Sequence, residues 1–373
     1  MIRVLFLINT LGGGGAERVL VNLVNHMDKS RFEITVETMF AGGINEGLLS
    51  SDVRYIKKNK LGIRGLSNII RYIPENILYR YYVGRNDYDI IVAYMHGAPT
   101  KVISGCRNRK TKRVTWLHNG NPAKGTFFRF WSSEKKAFDA YASLDAIVGV
   151  SRAVTEAFHN YTGISENLVT LYNTNDSQKI IDMSQVLWKP EGNFQCPIIC
   201  TSGRLSTEKG FDRLISVAKK LWDEGHRFHI LIMGSGPEEQ NLKAQIQELR
   251  ASQFVTMMGF CENPYAVMKQ CDFYISSSRE EGLATVLTEA LTLEMATIST
   301  DVSGAREVLG EHNEYGLVVE NSEKGIYSGL KEFLSNQDLV EKYRKGAAKR
   351  AELFDTKHTV SKTEEFFEQL VSR

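Results

Sequence analysis

The stretch Ser276-Ser-Ser-Arg-Glu-Glu-Gly-Leu-Ala-Thr-Val-Leu-Thr-Glu289 decides how the rest of this chain is read. Just before it, Asp272-Phe-Tyr-Ile275 has the aromatic and β-branched character of a short buried strand. Behind Gly282 comes an apolar run with helical spacing. Glu281 is therefore predicted in a strand-to-helix turn, and Glu289 two turns into the helix. The unpaired N–H groups at such a helix start, together with its dipole, attract phosphate.

Outward from this turn the same alternation continues. Cys196–Thr201, Phe228–Met233, Val255–Met258, Ala296–Thr300 and Leu317–Glu320 read as strands, with helices over Phe211–Asp223 and Pro237–Arg250. The first half repeats the pattern: strand Ile2–Ile8, glycine loop Gly12–Gly15, amphipathic helix from Ala16, then strands Phe32–Thr38, Ile90–Tyr94, Arg113–Leu117, Ala146–Val150 and Leu168–Tyr172. Strands alternating with helices predict an α/β protein with mostly parallel sheets covered on both faces. With 373 residues the chain has room for two such domains. The pattern loosens after Ser177, and Lys189-Pro-Glu-Gly-Asn193 has the composition of a linker. The expected division is 1–185, 186–355 and a terminal segment 356–373, whose amphipathic helix Thr359–Leu370 would cross back to the first domain.

Composition excludes several classes. At 42% hydrophobic and 24% charged residues the chain can bury two cores and is not disordered. Ile2–Ile8 is too short for a signal peptide or a membrane span. Five cysteines without a C-x-x-C pair, and no histidine at ligand spacing, predict reduced thiols, a cytoplasmic location and no metal site. Charge is divided unevenly: residues 1–175 hold 23 Lys and Arg against 14 Asp and Glu, whereas residues 176–373 hold 23 against 30. Basic and aromatic residues interleave in Arg54–Lys60, Ile69–Tyr82, Arg107–Arg113 and Phe127–Trp131. Such segments suit peripheral contact with an anionic membrane, and equally a solvated basic face; no nucleic-acid-binding motif accompanies them.

In open α/β sheets ligands bind beyond the carboxyl ends of the strands. Two first-half strands end on histidines, His96 and His118, and His118-Asn119-Gly120 is the better placed for a site. In the second half Ser202-Gly-Arg-Leu-Ser-Thr-Glu-Lys-Gly210 brings Gly203, Arg204 and Lys209 to a strand end. Met233-Gly-Ser-Gly-Pro237 does the same for Gly234 and Gly236, which would admit a base or ribose at close range. Two cations opposite a helix start can hold a diphosphate without a metal ion. The first glycine loop lacks the G-x-G-x-x-G spacing, so dinucleotide binding is not predicted.

These motifs resemble, in order and spacing, the nucleotide-sugar domain of the family 4 retaining glycosyltransferases. The match runs through Gly203-Arg-Leu, Glu208-Lys-Gly-Phe211, Gly234-x-Gly-Pro237, Glu281-Gly-Leu-x5-Glu289-Ala290 and Ser303-Gly-x-x-Glu307. Gly12–Arg18, Val150-Ser151 and Leu171-Tyr-Asn173 are similar to positions in that family's first domain. The resemblance implies a GT-B fold, two Rossmann-like domains facing each other across a cleft. It implies a hexose or N-acetylhexosamine moved with retention from a UDP-sugar to a glycan acceptor, polyprenyl-linked and on the inner face of the cell membrane, in cell-surface polysaccharide synthesis. It gives Arg204 and Lys209 the donor diphosphate, Glu281 the sugar hydroxyls, Glu289 the ribose, and His118 the reacting face of the sugar. The backbone of Gly282, Leu283, Ala284 and Thr285 would cradle sugar and phosphate, with Gly14 and Gly15 shaping the phosphate side. No cofactor or metal is implied. Leu293-Glu-Met-Ala-Thr297 departs from the family's Gly-Pro turn, and Glu280 adds a carboxylate beside the site. The alternatives are a non-catalytic GT-B subunit supporting a partner transferase, and a UDP-sugar epimerase.

Overall fold

The inner strands are buried along most of their length, as parallel strands covered by helices on both faces are. In the computed structural model, which describes residues 1–40, 42–59, 69–84, 86–119, 127–189 and 195–373, the chain divides into two units. One comprises residues 1–175 with 356–373, the other residues 176–355.

The first unit holds β1 (Ile2–Ile8), β2 (Phe32–Thr38), β3 (Arg54–Lys57), β4 (Ile90–Ala93), β5 (Lys112–Leu117), β6 (Ala146–Gly149) and β7 (Leu168–Thr170). They form one parallel sheet in the order β3-β2-β1-β4-β5-β6-β7. β1 pairs with β2 from Ile2–Phe32 to Ile8–Thr38, and with β4 from Val4–Ile90 to Leu7–Ala93. β3 was legible only as a basic and aromatic segment. It is an edge strand with no buried residue, so no apolar run marks it.

The second unit holds β8 (Ile198–Ser202), β9 (His229–Met233), β10 (Val255–Gly259), β11 (Phe273–Ser276), β12 (Ala296–Thr300) and β13 (Leu317–Val319), parallel and ordered β10-β9-β8-β11-β12-β13. Its core includes Ile199, Ile230, Ile232, Phe273, Ile275 and Ile298 of the sheet, packed against Leu214, Ile215, Ala218 and Leu221 of the helix Phe211–Asp223 and Ile326 and Leu330 of the helix Glu323–Ser335. Each of the Leu, Ile and Phe side chains among these contributes about 1.5–3 kcal/mol by leaving water.

The terminal helix, Thr356–Ser372, belongs to the first unit. Phe367 is fully buried beside Phe6 and Phe32, with ring centroids 6.0 and 6.4 Å away. Glu364 accepts from the Asp28 backbone at 2.6 Å and pairs with Arg31 at 3.0 Å. The change of unit falls between Asn175 and Asp176, ahead of the expected position at 185. The helix Ser177–Ser184, capped by the Asp176 side chain, packs on the second unit, where Asn263 donates to the Met183 carbonyl at 2.8 Å. Of the expected linker, residues 190–193 lie outside the described residues. All five cysteines are free thiols. Among the described residues no helix is long and apolar enough to cross a membrane, and no group of three or more metal-ligating side chains is present.

Candidate active site at the switch point of the second sheet

In the second sheet the strand order reverses between β8 and β11, the place where open α/β sheets bind ligands beyond the carboxyl ends of their strands. The β8 loop carries Gly203, Arg204 and the 3-10 turn Thr207–Lys209. The β11 loop carries Ser277 to Ala284 and opens the helix Thr285–Thr292. The two loops meet: Lys209 Nζ lies 2.5 Å from Glu281 Oε1, and Ser278 Oγ donates to the same oxygen at 2.6 Å. Both side chains are largely covered, 22% and 12% exposed, so their charges act through a poorer dielectric than water. Arg204 is exposed and has no ion-pair partner among the described residues.

The helix starts later than its sequence suggests. Thr285 is its first residue, which puts Glu289 one turn in rather than two, and leaves Glu281 wholly in the preceding turn. The apolar run Leu283-Ala284 belongs to that turn and is buried, which imitates a helical pattern in sequence. No side chain caps the helix at Ala284, so its first N–H groups are available to an anion. The Tyr265 hydroxyl donates to Glu289 Oε1 at 3.2 Å.

The glycines of the second loop, expected to admit a base or ribose, also lie close against the chain's own backbone. A Cβ at Gly234 would stand 1.9 Å from the Gly203 carbonyl oxygen, and one at Gly236 would stand 2.4 Å from that of Leu205. They let two loops of the chain touch, with Leu205 N–H donating to Ser235 at 2.9 Å. A Cβ at Gly304 would stand 3.0 Å from Gly282 O and Leu283 Cδ1, so the Ser303-Gly304 turn lies close against the glutamate turn. In the departing segment, Glu294 takes positive φ, +60°, at the helix end. Glu280 is exposed.

In the first unit the reversal lies between β1 and β4, and the loops at that edge carry Gly12–Gly15, His96 and, from β5, His118. Gly14 caps the helix Gly15–His26 with Glu17 folded over it; an added Cβ would meet Glu17 Oε2 at 2.3 Å, whereas Gly15 has open space. Asn45 accepts from the Arg18 guanidinium at 3.4 Å. His118 bonds to the Tyr94 backbone, but its Nε2 is sealed from water and has no hydrogen-bond partner among the described residues. Burial, with His96 alongside, pushes its pKa down to about 3. The neutral ring is thus the folded form, while the unfolded chain protonates near 6.5. Stability is expected to fall as pH drops from about 6.5 towards 3, because only the unfolded state takes up the proton there. In thermal unfolding from pH 7.5 to 4.5, His118→Gln should lose less stability than the parent; equal losses would refute the burial argument.

Ser278 and Tyr265 were not legible as site residues. Each serves a glutamate it is brought to by the fold, and an isolated serine or tyrosine carries no signal of that in sequence.

Comparison with known proteins adds a second line of argument. Residues 188–350 match the family model for glycosyl transferases group 1, and residues 13–179 that for glycosyltransferase family 4. An N-acetylgalactosamine-N,N'-diacetylbacillosaminyl-diphospho-undecaprenol 4-alpha-N-acetylgalactosaminyltransferase of Campylobacter jejuni is 27% identical, over 93% of this chain and 94% of its own. The same organism's GalNAc-alpha-(1->4)-GalNAc-alpha-(1->3)-diNAcBac-PP-undecaprenol alpha-1,4-N-acetyl-D-galactosaminyltransferase is 22% identical over 96% of each. Among solved structures, Anabaena HepE in complex with UDP and glucose superposes with a TM-score of 0.76 at 18% identity, over 99% of this chain and 100% of that one. With two Rossmann-like units of the GT-B type and a family match on each half, the chain belongs to the family 4, group 1 glycosyltransferases.

Proposed function

We propose that this glycosyltransferase moves a hexose or N-acetylhexosamine from a UDP-sugar to a polyprenyl-linked glycan acceptor in cell-surface polysaccharide synthesis, with retention and without a metal ion. The observation that carries this reading is the Lys209–Glu281 pair at the β8/β11 switch point, next to the uncapped start of the helix Thr285–Thr292. Lys209 and Arg204 neutralise the donor diphosphate, and the backbone of Gly282 to Thr285 adds N–H donors. Glu281 accepts from the sugar hydroxyls and Glu289 from the ribose, as an ionised carboxylate does. The bond between anomeric carbon and phosphate oxygen breaks while negative charge gathers on the leaving diphosphate. Preorganised cations and N–H groups are worth most at that stage. The acceptor hydroxyl attacks from the same face and gives its proton to the departing phosphate oxygen. His118 belongs to the proposed catalytic set. A pair of carboxylates acting as acid and base across the sugar, as in glycosidases, does not fit, because Glu281 is tied to Lys209 and Glu289 to Tyr265.

The donor reading draws support from the UDP-bound HepE structure, and the acceptor reading from the undecaprenol-linked acceptors that the Campylobacter enzymes are named for. With an α-linked UDP-sugar and an undecaprenyl diphosphate glycan, proton NMR of the product should show an α-glycoside formed in the presence of EDTA. A β product, or activity only with added metal, would overturn the retaining, metal-independent reading. Sugar released or epimerised without acceptor at the transfer rate would favour the epimerase instead.

Peripheral membrane contact is part of the same proposal. Ile69, Tyr72, Ile77 and Tyr81 are exposed apolar or aromatic side chains, interspersed with exposed Arg71 and Arg80. Rings and cations in this arrangement suit an anionic headgroup layer. In flotation with anionic vesicles at low salt, the protein should rise with the lipid and the Arg71→Glu, Arg80→Glu variant should not; no flotation of the parent would remove the membrane contact.

A further inference from the structure

Arg213, on the helix Phe211–Asp223, lies outside every motif named above and is only 6% exposed, a degree of burial rare for arginine. It has no carboxylate partner in an ion pair among the described residues; backbone and amide oxygens accept from its Nε and Nη2 instead. Nε and Nη2 donate to the Ser277 carbonyl at 2.9 and 2.7 Å, and Nη2 also donates to the Ser278 carbonyl at 2.7 Å and to Asn321 Oδ1 at 2.6 Å. Asn321 then donates to the Arg279 carbonyl at 3.0 Å. Three successive carbonyls of the β11 loop are thus fixed by one Arg–Asn pair. Burying a cation is costly unless its geometry is satisfied, so a site needing only stability is better filled with apolar side chains. What the guanidinium adds is direction: its planar fork fixes where the carbonyls stand.

Those carbonyls belong to the residues that hold the reactive pair. Ser278 is gripped through its carbonyl by Arg213 and by Thr300, at 2.6 Å, while its hydroxyl holds Glu281. Ser277 is gripped likewise, and its hydroxyl donates to the Lys209 carbonyl at 3.0 Å. Gly210, next to Lys209, has a positive φ of +64°, and a Cβ there would stand 2.2 Å from Ser277 O, so the contact requires glycine. Both members of the ion pair therefore hang from one clamp.

We propose that Arg213 and Asn321 are a positioning pair for sugar transfer, setting the separation of Lys209 and Glu281 and so aligning the donor diphosphate with its sugar. This rests on the reading of Lys209 and Glu281 as donor ligands. The test uses the full chain with Asn321→Ala, whose side chain is exposed, and Arg213→Lys, which keeps the charge but not the fork, each alone and with Glu281→Gln. Turnover of the accepted UDP-sugar, its KM, the calorimetric UDP Kd and the unfolding midpoint are read for each. Expected are kcat losses of about fivefold for Asn321→Ala and about a hundredfold for Arg213→Lys, with KM within about threefold. In the Glu281→Gln background each should change the residual turnover by less than about twofold, since residues acting through one group are not additive. Losses that add fully in that background, or that track a lowered fraction of UDP-binding protein, would overturn the pair while leaving the donor site intact. A parent protein that binds no UDP would overturn the donor reading, and the pair with it.

Discussion

Glu281→Gln is expected to lower kcat for transfer by about a hundredfold to a thousandfold, the scale on which one preorganised polar contact acts at a reacting centre. UDP itself should bind the variant at least as tightly as the parent. The two halves of this expectation share one cause. Glu281 Oε1 accepts from both Lys209 Nζ and Ser278 Oγ, so the carboxylate competes with a diphosphate for the cation's charge. Gln keeps the size and one acceptor oxygen but gives up the charge, which weakens the grip on the sugar hydroxyls and releases Lys209 to the phosphate. Titration calorimetry with UDP, run beside steady-state kinetics, separates the two. Loss of UDP binding in step with kcat would place Glu281 in a structural role instead.

Glu289→Ala should act on the other side of the ledger between binding and chemistry. A carboxylate accepting from two ribose hydroxyls contributes about 1.5–3 kcal/mol, so the UDP Kd and the donor KM should each rise by about tenfold to a hundredfold. At saturating donor, kcat should stay within about fivefold of the parent, because the ribose undergoes no change in the reaction. Tyr265 is the natural control: Tyr265→Phe removes the 3.2 Å hydrogen bond to Glu289 while keeping the carboxylate, and should weaken UDP by less. Equal, small effects at Glu281 and Glu289 would overturn the assignment of one to sugar and the other to ribose.

Much of the architecture was open to reading in the chain itself. Ile2–Ile8, Phe32–Thr38 and Ala296–Thr300 are strands at the expected limits, and Phe211–Asp223 is a helix at its expected limits. These strands are short runs rich in apolar and β-branched residues, and the helix Phe211–Asp223 has strongly one-sided apolar spacing; both signals are local. Edge strand β3 and the late start of the helix Thr285–Thr292 escaped for the converse reason. One lacks burial, and the other follows a buried turn that has helix-like composition.

The sequence by itself determined the two α/β halves, because these rest on periodicity, and pointed to Arg204, Lys209, Glu281 and Glu289 through residue type at strand ends and through the family resemblance. Tertiary structure alone decided that Lys209 and Glu281 form one ion pair and that Gly234 and Gly236 serve loop-to-loop contact. It also showed Arg213 and Asn321 gripping the turn beneath them. Parallel sheets bring strand ends from distant parts of the chain to one edge, and which loops then touch depends on strand order at the β8/β11 reversal. No local pattern of residues encodes that order.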